Sequence, residues 1–333
     1  MGWRMNIKNA LKCILAIFIT LTFFFIFGEV GTRIYLRHKT IYDIEMTKYA
    51  MDVKTDSNNP LIGHVHKPGV TAFLMNSNVS INSDGLRDKE YSVARNEKYR
   101  MIFLGDSLTF GWGVEQGDTF EHILEAKANK EFLAEIINFG AGNYNTEQQV
   151  NLFLEKGLKY RPDKVVLFYF INDAEVTPKK SRLYFLGHSR LLSFYWSRVH
   201  AFMNKQFPSK SFKEYYAELY TDEQKGWMNT KKAFMELKDI CREERIELQV
   251  VLLPELHDIK NRIFNNEYSK ISAFLEKIGI KYLNLASMFE SYSGDPIDLW
   301  VSYDDAHPNK IAHNAIAENT MGFIFGKGEV NSD

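Results

Sequence analysis

The sequence predicts an α/β fold in which a parallel sheet carries helices on both faces, preceded by one N-terminal membrane-spanning helix. Five short apolar runs alternate with segments of helical period or helical length, which is typical of a parallel sheet. The runs occupy residues 99–104, 134–138, 164–170, 247–253 and 281–285. Polar residues of chemical interest follow several of these runs, and ligand sites in such sheets lie beyond the carboxyl ends of the strands.

Size, charge and cysteine content narrow the class of protein. A chain of 333 residues is about right for one large α/β domain with attachments. Its 41 Lys and Arg nearly balance 42 Asp and Glu, so no overall field recruits nucleic acid. Cys13 and Cys241 are the only cysteines, which excludes a disulfide framework. We interpret the close pair His64 and His66 as part of a surface strand or loop, and we expect no metal site.

The N-terminal segment is long and apolar enough to span a bilayer. Residues 13–28 carry no charge, and residues 9–12 extend the run if Lys12 snorkels toward the headgroups. The alternative is a cleaved signal peptide, but no small-x-small cleavage site follows Phe27 and helical character continues past Gly28. We therefore predict an uncleaved transmembrane signal-anchor at 9–28.

Orientation follows from the position of this span. Basic residues flank both of its ends and do not decide the topology. An N-terminal span ahead of one large domain usually acts as a signal-anchor. We therefore expect residues 1–8 to be cytoplasmic and the large domain to be extracytoplasmic, either periplasmic or at the cell surface.

The remaining chain divides by composition. Residues 29–98 are polar and broken by Pro and Gly, and we interpret them as a linker and a small β-rich preface. Residues 99–328 are predicted to form the main domain, with a helical insertion at 176–245. Many aromatic residues lie in the insertion, and they fit a helical subdomain core, a lid, a pocket wall or a membrane-facing surface.

Two segments carry the elements of nucleophilic catalysis. Acyl transfer through serine needs a nucleophile, a base, a group that orients the base, and donors for the oxyanion. Ser107 lies in the GDSL segment 105–108 directly after the first apolar run. Asp304 precedes His307 by three residues, so one turn would bring its carboxylate to one imidazole nitrogen and leave the other for Ser107. Taken singly, a strand-end serine and a helix cap explain these residues as well.

Two more segments could donate hydrogen bonds to the oxyanion. Asn172 follows the run at 164–170 and offers a side-chain amide. The glycine-containing segment 138–146, NFGAGNYNT, could offer a backbone N–H after the second run. An ordinary turn and a plain loop explain each segment in isolation. Four such signals beside one sheet edge favour a catalytic site.

With these motifs, residues 99–325 resemble the SGNH/GDSL hydrolase superfamily, whose name denotes Ser, Gly, Asn and His from four sequence blocks. The GDSL segment with the following TFG resembles the first block and would supply the nucleophile Ser107. The segment from Asn138 resembles the second block, Asn172 with its neighbours the third, and Asp304 with His307 the last. The order of the blocks matches as well.

The resemblance implies a flavodoxin-like three-layer α/β/α sandwich of about five parallel strands and no cofactor. It also implies that the Ser107 N–H, the Asn143 N–H and the Asn172 amide hold the oxyanion. Asn143 departs from the pattern, because the family usually has glycine there and this chain has Gly142 one place earlier. Phe170 is a second departure, standing where the third block usually has glycine.

These features lead to one functional hypothesis and two alternatives. We expect a serine-dependent carboxyl-ester hydrolase of esterase or deacetylase type, with a triad of Ser107, His307 and Asp304. Its partner would be an ester-bearing small molecule, a lipid or an O-acylated glycan, not a nucleic acid. The alternatives are an O-acyltransferase that modifies an exported polysaccharide and a non-catalytic envelope scaffold or glycan-binding module.

Overall fold

The computed structural model describes residues 7–37, 39–176, 187–206 and 210–326. Its helices are α1 Ile7–Leu36, α2 Tyr42–Lys48, α3 Ser107–Phe110, α4 Phe120–Ala128, α5 Thr146–Leu152, α6 Arg190–Gln206, α7 Phe212–Leu219, α8 Lys225–Glu243, α9 Asn265–Lys277 and α10 Lys310–Phe325. Its strands are β1 Lys54–Asp56, β2 His64–His66, β3 Thr71–Leu74, β4 Ser77–Ser80, β5 Tyr99–Leu104, β6 Ala134–Asn138, β7 Lys164–Tyr169, β8 Glu247–Leu252, β9 Lys281–Asn284, β10 Trp300–Ser302 and β11 Asp305–Pro308. Most of the predicted N-terminus 1–8, part of the predicted insertion and the end of the predicted main domain lie outside the described residues.

The chain divides into two compact units, which we call the helical unit and the sheet unit. The helical unit comprises Met1–Lys48 with Arg182–Pro208, and the sheet unit comprises Tyr49–Ser181 with Ser209–Asp333. Of the predicted linker and preface at 29–98, residues 29–48 belong to the helical unit and residues 49–98 to the sheet unit.

The helical unit is built from α1, α2 and α6. Helix α1 has 30 residues, and by length and composition it could cross a membrane. It continues past Gly28 to Leu36, as the sequence predicted. The carboxylate of Glu29 accepts hydrogen bonds from Ser189 Oγ at 2.7 Å and from Leu191 N at 2.9 Å, so α1 supplies an acceptor to the first turn of α6.

Five apolar runs form the parallel sheet of the sheet unit, in the order β6-β5-β7-β8-β9. All four neighbouring pairs are parallel. Numbered along the chain, this order is 2-1-3-4-5, which is the flavodoxin-like arrangement. The structure thus confirms the predicted five-stranded α/β fold.

Helices cover both faces of this sheet, because successive strand residues point to opposite sides. On one face, side chains such as Ile102 and Val165 pack with residues of α5, α8 and α9. On the other face, Phe103 and Val166 pack with residues of α4 and α10. Both faces are therefore closed to water, and the carboxyl edge remains as the place for a site.

The predicted insertion 176–245 is not one insertion. Helix α6 belongs to the helical unit, whereas α8 packs on the sheet beside α5 and connects β7 to β8. A parallel pair of strands needs such a crossover, and a helix usually provides it. The aromatic side chains of α8 thus contribute to a core; Trp227 and Phe234, for example, are 3% and 0% exposed.

The preface forms two antiparallel hairpins, β1 with β2 and β3 with β4. His64 and His66 lie in β2, as expected for a strand, but the expectation of a surface position is wrong for His66. This residue is only 4% exposed. Its burial is tolerated because both ring nitrogens have polar partners inside the protein, at Tyr49 and Gly85.

Gly140 lies where the loop after β6 passes the backbone of α3. A Cβ at this position would lie 2.2 Å from Phe110 N and 2.5 Å from the Thr109 carbonyl carbon, so the backbones would have to separate. We expect Gly140→Ala to lower the free energy of unfolding by about 1–3 kcal/mol, as overpacking does. Gly117→Ala is the control, since its Cβ would meet no atom within 4 Å. Equal thermal unfolding midpoints for both variants would contradict this packing.

Candidate active site

Ser107 is presented at the carboxyl edge of the sheet by a strand-turn-helix segment. It begins α3, and two residues separate it from the end of β5. The Asp106 carboxylate accepts a hydrogen bond from Leu108 N at 2.8 Å, which fixes the turn. Gly105 is required here, because a Cβ would lie 2.0 Å from Thr109 Oγ1. The GDSL segment therefore folds locally so that the serine hydroxyl faces out of the sheet edge.

The structure brings together Ser107 and His307, which are 200 positions apart in the chain. Ser107 Oγ lies 2.7 Å from His307 Nε2. His307 is held by β11, which pairs with β10 in a short antiparallel hairpin. The imidazole is only 16% exposed, so bulk water has limited access to the hydrogen bond.

The carboxylate on the other side of the imidazole is Asp305, and the prediction of Asp304 is wrong. Asp305 Oδ1 lies 2.5 Å from His307 Nδ1 and accepts the His307 backbone N–H at 3.1 Å. Asp304 is exposed and accepts a hydrogen bond from Ser302 Oγ at 2.6 Å. The prediction assumed a helical turn, whereas residues 305–308 form a strand. In a strand, residues two apart share a face.

Burial and hydrogen bonding fix the charge of Asp305. Burial by itself raises the pKa of this carboxyl, but the neighbouring His307 and the hydrogen bonds from His307 and Trp112 outweigh it. The pKa therefore lies below its ordinary value. Trp112 Nε1 donates to Asp305 Oδ2 at 2.8 Å, so both carboxylate oxygens have donors. An ionised carboxylate only accepts hydrogen bonds, which indicates that His307 carries its proton on Nδ1 and leaves Nε2 to accept from Ser107.

Asn172 lies in the short turn after β7, next to the nucleophile's own turn. Burial raises the pKa of the Asp106 carboxyl, and the backbone N–H of Leu108, the nearby His307 and the side chain of Asn172 partly offset this. Asn172 Oδ1 is buried with no hydrogen-bond partner in the part of the chain that the structure describes. The side chain of Asn172 therefore lies near the residue directly before Ser107.

Asn143 has a left-handed backbone, with φ of +66°. It lies in the loop between β6 and α5, where the family pattern has glycine. Among the hydrogen bonds of residues 7–37, 39–176, 187–206 and 210–326, none uses the N–H of Asn143 or of Ser107 as donor. Backbone N–H groups that are not used elsewhere in the fold are the kind of donor that an oxyanion requires.

Several residues at the site were not identified from the sequence. Asp305 had no assigned role, although its spacing of two from His307 matches the period of a strand. Trp112 gave no signal, because its contact with Asp305 joins positions 193 apart. No cluster of three or more His, Cys, Asp or Glu that could hold a metal occurs among the described residues.

Comparison with known families agrees with this fold. A family model described as GDSL-like Lipase/Acylhydrolase matches residues 103–315, which is more than half of the 333-residue chain. The chain belongs to this family, and it is a hydrolase of the kind that acts on ester bonds. No curated protein matches the chain.

Several solved structures are similar to this chain at low sequence identity. One is a catalytic mutant of an acetylxylan esterase from Geobacillus stearothermophilus, at 14% identity, covering 73% of this chain and 100% of that one, with a TM-score of 0.46. A second is a member of the lipolytic G-D-S-L family from Veillonella parvula, at 13% identity, covering 69% and 99%, with a TM-score of 0.41. A third is a two-domain esterase active on acetylated mannans, at 15% identity, covering 71% and 51%, with a TM-score of 0.47.

The two neighbouring carboxylates allow a direct test of which one serves His307. We expect Asp305→Asn to lower kcat on a short-chain nitrophenyl ester by about 100- to 10,000-fold, because the imidazole loses the acceptor that sets its tautomer. Asp304→Asn should leave kcat within about threefold, as an exposed substitution. Comparable losses in both variants, or a loss only in Asp304→Asn, would return the role to Asp304.

Proposed function

We propose that the chain is a serine-dependent carboxyl-ester hydrolase in which Ser107, His307 and Asp305 form the catalytic triad. The observation that carries the proposal is the continuous hydrogen-bonded row from Ser107 Oγ through His307 to Asp305, with distances of 2.7 Å and 2.5 Å. The row has the order and geometry of a nucleophile, a base and a group that orients the base.

The reaction proceeds through a covalent acyl-enzyme. Ser107 Oγ attacks the ester carbonyl carbon while its proton passes to His307 Nε2. The carbonyl oxygen becomes an oxyanion, which accepts hydrogen bonds from the Ser107 N–H, the Asn143 N–H and the Asn172 amide. The tetrahedral intermediate then releases the alcohol, which takes the proton from His307. Water repeats the sequence on the acyl-enzyme and yields the acid and free Ser107.

Asp305 has two tasks in this mechanism. It holds the imidazole in the tautomer that accepts from Ser107, and its negative charge stabilises the imidazolium that forms during attack. Trp112 holds the second oxygen of Asp305 and so keeps the carboxylate from turning away. The proposed substrates are esters of small molecules or lipids and O-acylated glycans.

Covalent labelling of the full-length chain in detergent tests whether Ser107 is an activated nucleophile. We expect a fluorophosphonate probe to label the wild type, and Ser107→Ala to abolish both labelling and nitrophenyl-ester hydrolysis. Ser302→Ala is a matched control, because this serine hydrogen-bonds Asp304 and not His307. A wild-type chain that is folded but neither labelled nor active would favour a scaffold or glycan-binding module. Transfer of the acyl group to a glycan in place of water would indicate an O-acyltransferase with the same triad.

We further propose that α1 is an uncleaved anchor and that the sheet unit is extracytoplasmic. The length and apolar composition of α1 support anchoring. When the chain is expressed in a bacterial host, protease added to intact spheroplasts should degrade the sheet unit and leave a cytoplasmic marker intact. A sheet unit that is digested only after lysis would contradict this topology. A mature chain lacking α1 would show that the segment is a cleaved signal.

A further inference from the structure

Residues of the preface hydrogen-bond the loop that carries Asn143. None of these residues belongs to the four motifs or to the triad. Gly142, next to Asn143, has both backbone groups engaged. Its N–H donates to Tyr49 Oη at 2.9 Å, and its carbonyl oxygen lies 2.8 Å from Lys54 Nζ and 3.1 Å from His64 Nε2. These contacts join positions 78–93 apart in the chain and lie within the sheet unit.

A fixed chain of hydrogen bonds holds Tyr49 in place. His66 Nδ1 faces the Gly85 carbonyl at 3.2 Å and must donate to it, because a carbonyl only accepts. Burial lowers the pKa of His66 to about 3, so the ring is neutral and its Nε2 accepts from the Tyr49 hydroxyl at 2.7 Å. Tyr49 oxygen is then free to accept from Gly142. Each donor and acceptor in this row is determined by its neighbour.

Close packing of Tyr49 against Gly142 also holds this loop in place. A Cβ at Gly142 would lie 2.6 Å from a ring carbon of Tyr49, so the loop backbone lies directly against the ring. Tyr49 is fully buried and also contacts Phe110 and Trp112 through its ring. The preface thus lies between the loop of Asn143 and the segment that follows Ser107.

Lys54 makes the contact that concerns the oxyanion most directly. Its Nζ donates to the Gly142 carbonyl and also to Asn143 Oδ1 at 2.9 Å. Lys54 Nζ also lies over the Tyr49 ring, 4.4 Å from its centroid, and burial lowers the pKa of Lys54 to about 7. The two hydrogen bonds span the peptide between Gly142 and Asn143, whose N–H is the proposed oxyanion donor.

A left-handed backbone is unfavourable for residues other than glycine, and asparagine tolerates it because its side chain can make local hydrogen bonds. At φ of +66°, the side chain of Asn143 accepts its hydrogen bond from Lys54, which lies 89 positions away in the chain. We propose that Lys54 is a positioning residue that holds the Gly142–Asn143 peptide with its N–H toward the oxyanion, and that Lys54 and Asn143 together replace the usual glycine. This inference rests on the proposed hydrolase function.

A double-mutant cycle in the full-length chain tests this role. Lys54→Met keeps the length of the side chain and removes both hydrogen bonds. We expect it to lower kcat on a nitrophenyl ester by about 10- to 100-fold with KM little changed, because a misplaced group slows chemistry more than binding. In an Asn143→Gly background, glycine adopts the left-handed backbone unaided. There the same substitution should cost at most about threefold relative to Asn143→Gly alone.

Lys67→Met is the matched control. Lys67 lies in the same preface, but its Nζ donates to the Met51 carbonyl at 2.6 Å and not to the loop of Asn143. A general loosening of the preface would lower kcat in Lys67→Met as well. Equal losses from Lys54→Met in the two backgrounds, or equal losses in Lys67→Met and Lys54→Met, would overturn the positioning role.

The outcome separates this inference from the proposed function. An active wild type with an unaffected Lys54→Met variant overturns the inference alone, whereas an inactive, unlabelled wild type overturns the function. A crystal structure of Lys54→Met gives a readout that needs no activity. We expect the Gly142–Asn143 peptide to rotate away from its wild-type orientation, and an unchanged peptide with Asn143 still left-handed would contradict the proposal.

Discussion

The hydrogen bond between Ser107 Oγ and His307 Nε2 is the contact on which the rest of the site depends. It spans 2.7 Å and joins two segments 200 positions apart. No local preference of the chain can produce such a contact. The sheet produces it, because β5 ends at Ser107's turn and the hairpin of β10 and β11 brings His307 to the same edge. Side chains that are distant in sequence become neighbours once the strands align.

Around this contact, hydrogen bonds from buried groups restrict the orientations of the side chains at the site. Asp305 binds His307 through one oxygen and Trp112 through the other. The Asp106 carboxyl accepts from Leu108 N and so fixes the turn of Ser107, and the side chain of Asn172 lies near this carboxyl. For the proposed oxyanion donors, such a fixed arrangement is the preorganisation that stabilises oxyanions in enzymes. In the same way, the preface is proposed to fix the conformation of the loop of Asn143. The sequence of this loop does not fully specify that conformation.

The sequence was most informative where chemistry and local structure coincide. Five apolar runs predicted the strands, and the motifs predicted the contact between Ser107 and His307 that the structure contains. Asp305 was missed because the spacing of three between Asp304 and His307 suggested a helical turn. The segment is a strand, in which the residue two places before the histidine shares its face. The prediction assumed the side-chain period of a helix for this segment. The pairing of β10 with β11 makes it a strand, so the side-chain period is two.

Contacts between segments that are distant in the chain could not be predicted, because no local sequence pattern encodes them. Nothing near Lys54 indicates that it meets Gly142, 88 positions later, and nothing near His66 indicates that its ring is buried against Tyr49. The prediction of one helical insertion at 176–245 differs from the structure for the same reason. Its aromatic residues resemble those of a separate subdomain, yet α8 within it is a layer of the sandwich. Composition does not show which of these side chains are buried, since Trp227 is buried and Trp196 is exposed; only the fold does.

The most direct test of the central contact is a crystal structure of the full-length chain after reaction with a fluorophosphonate. We expect phosphorus bonded to Ser107 Oγ and the phosphoryl oxygen within hydrogen-bond distance of the backbone N–H groups of Ser107 and Asn143. We also expect His307 Nε2 to face the adduct while Nδ1 keeps its hydrogen bond to Asp305. An adduct on another residue, or an imidazole turned away from position 107 toward solvent, would contradict this expectation.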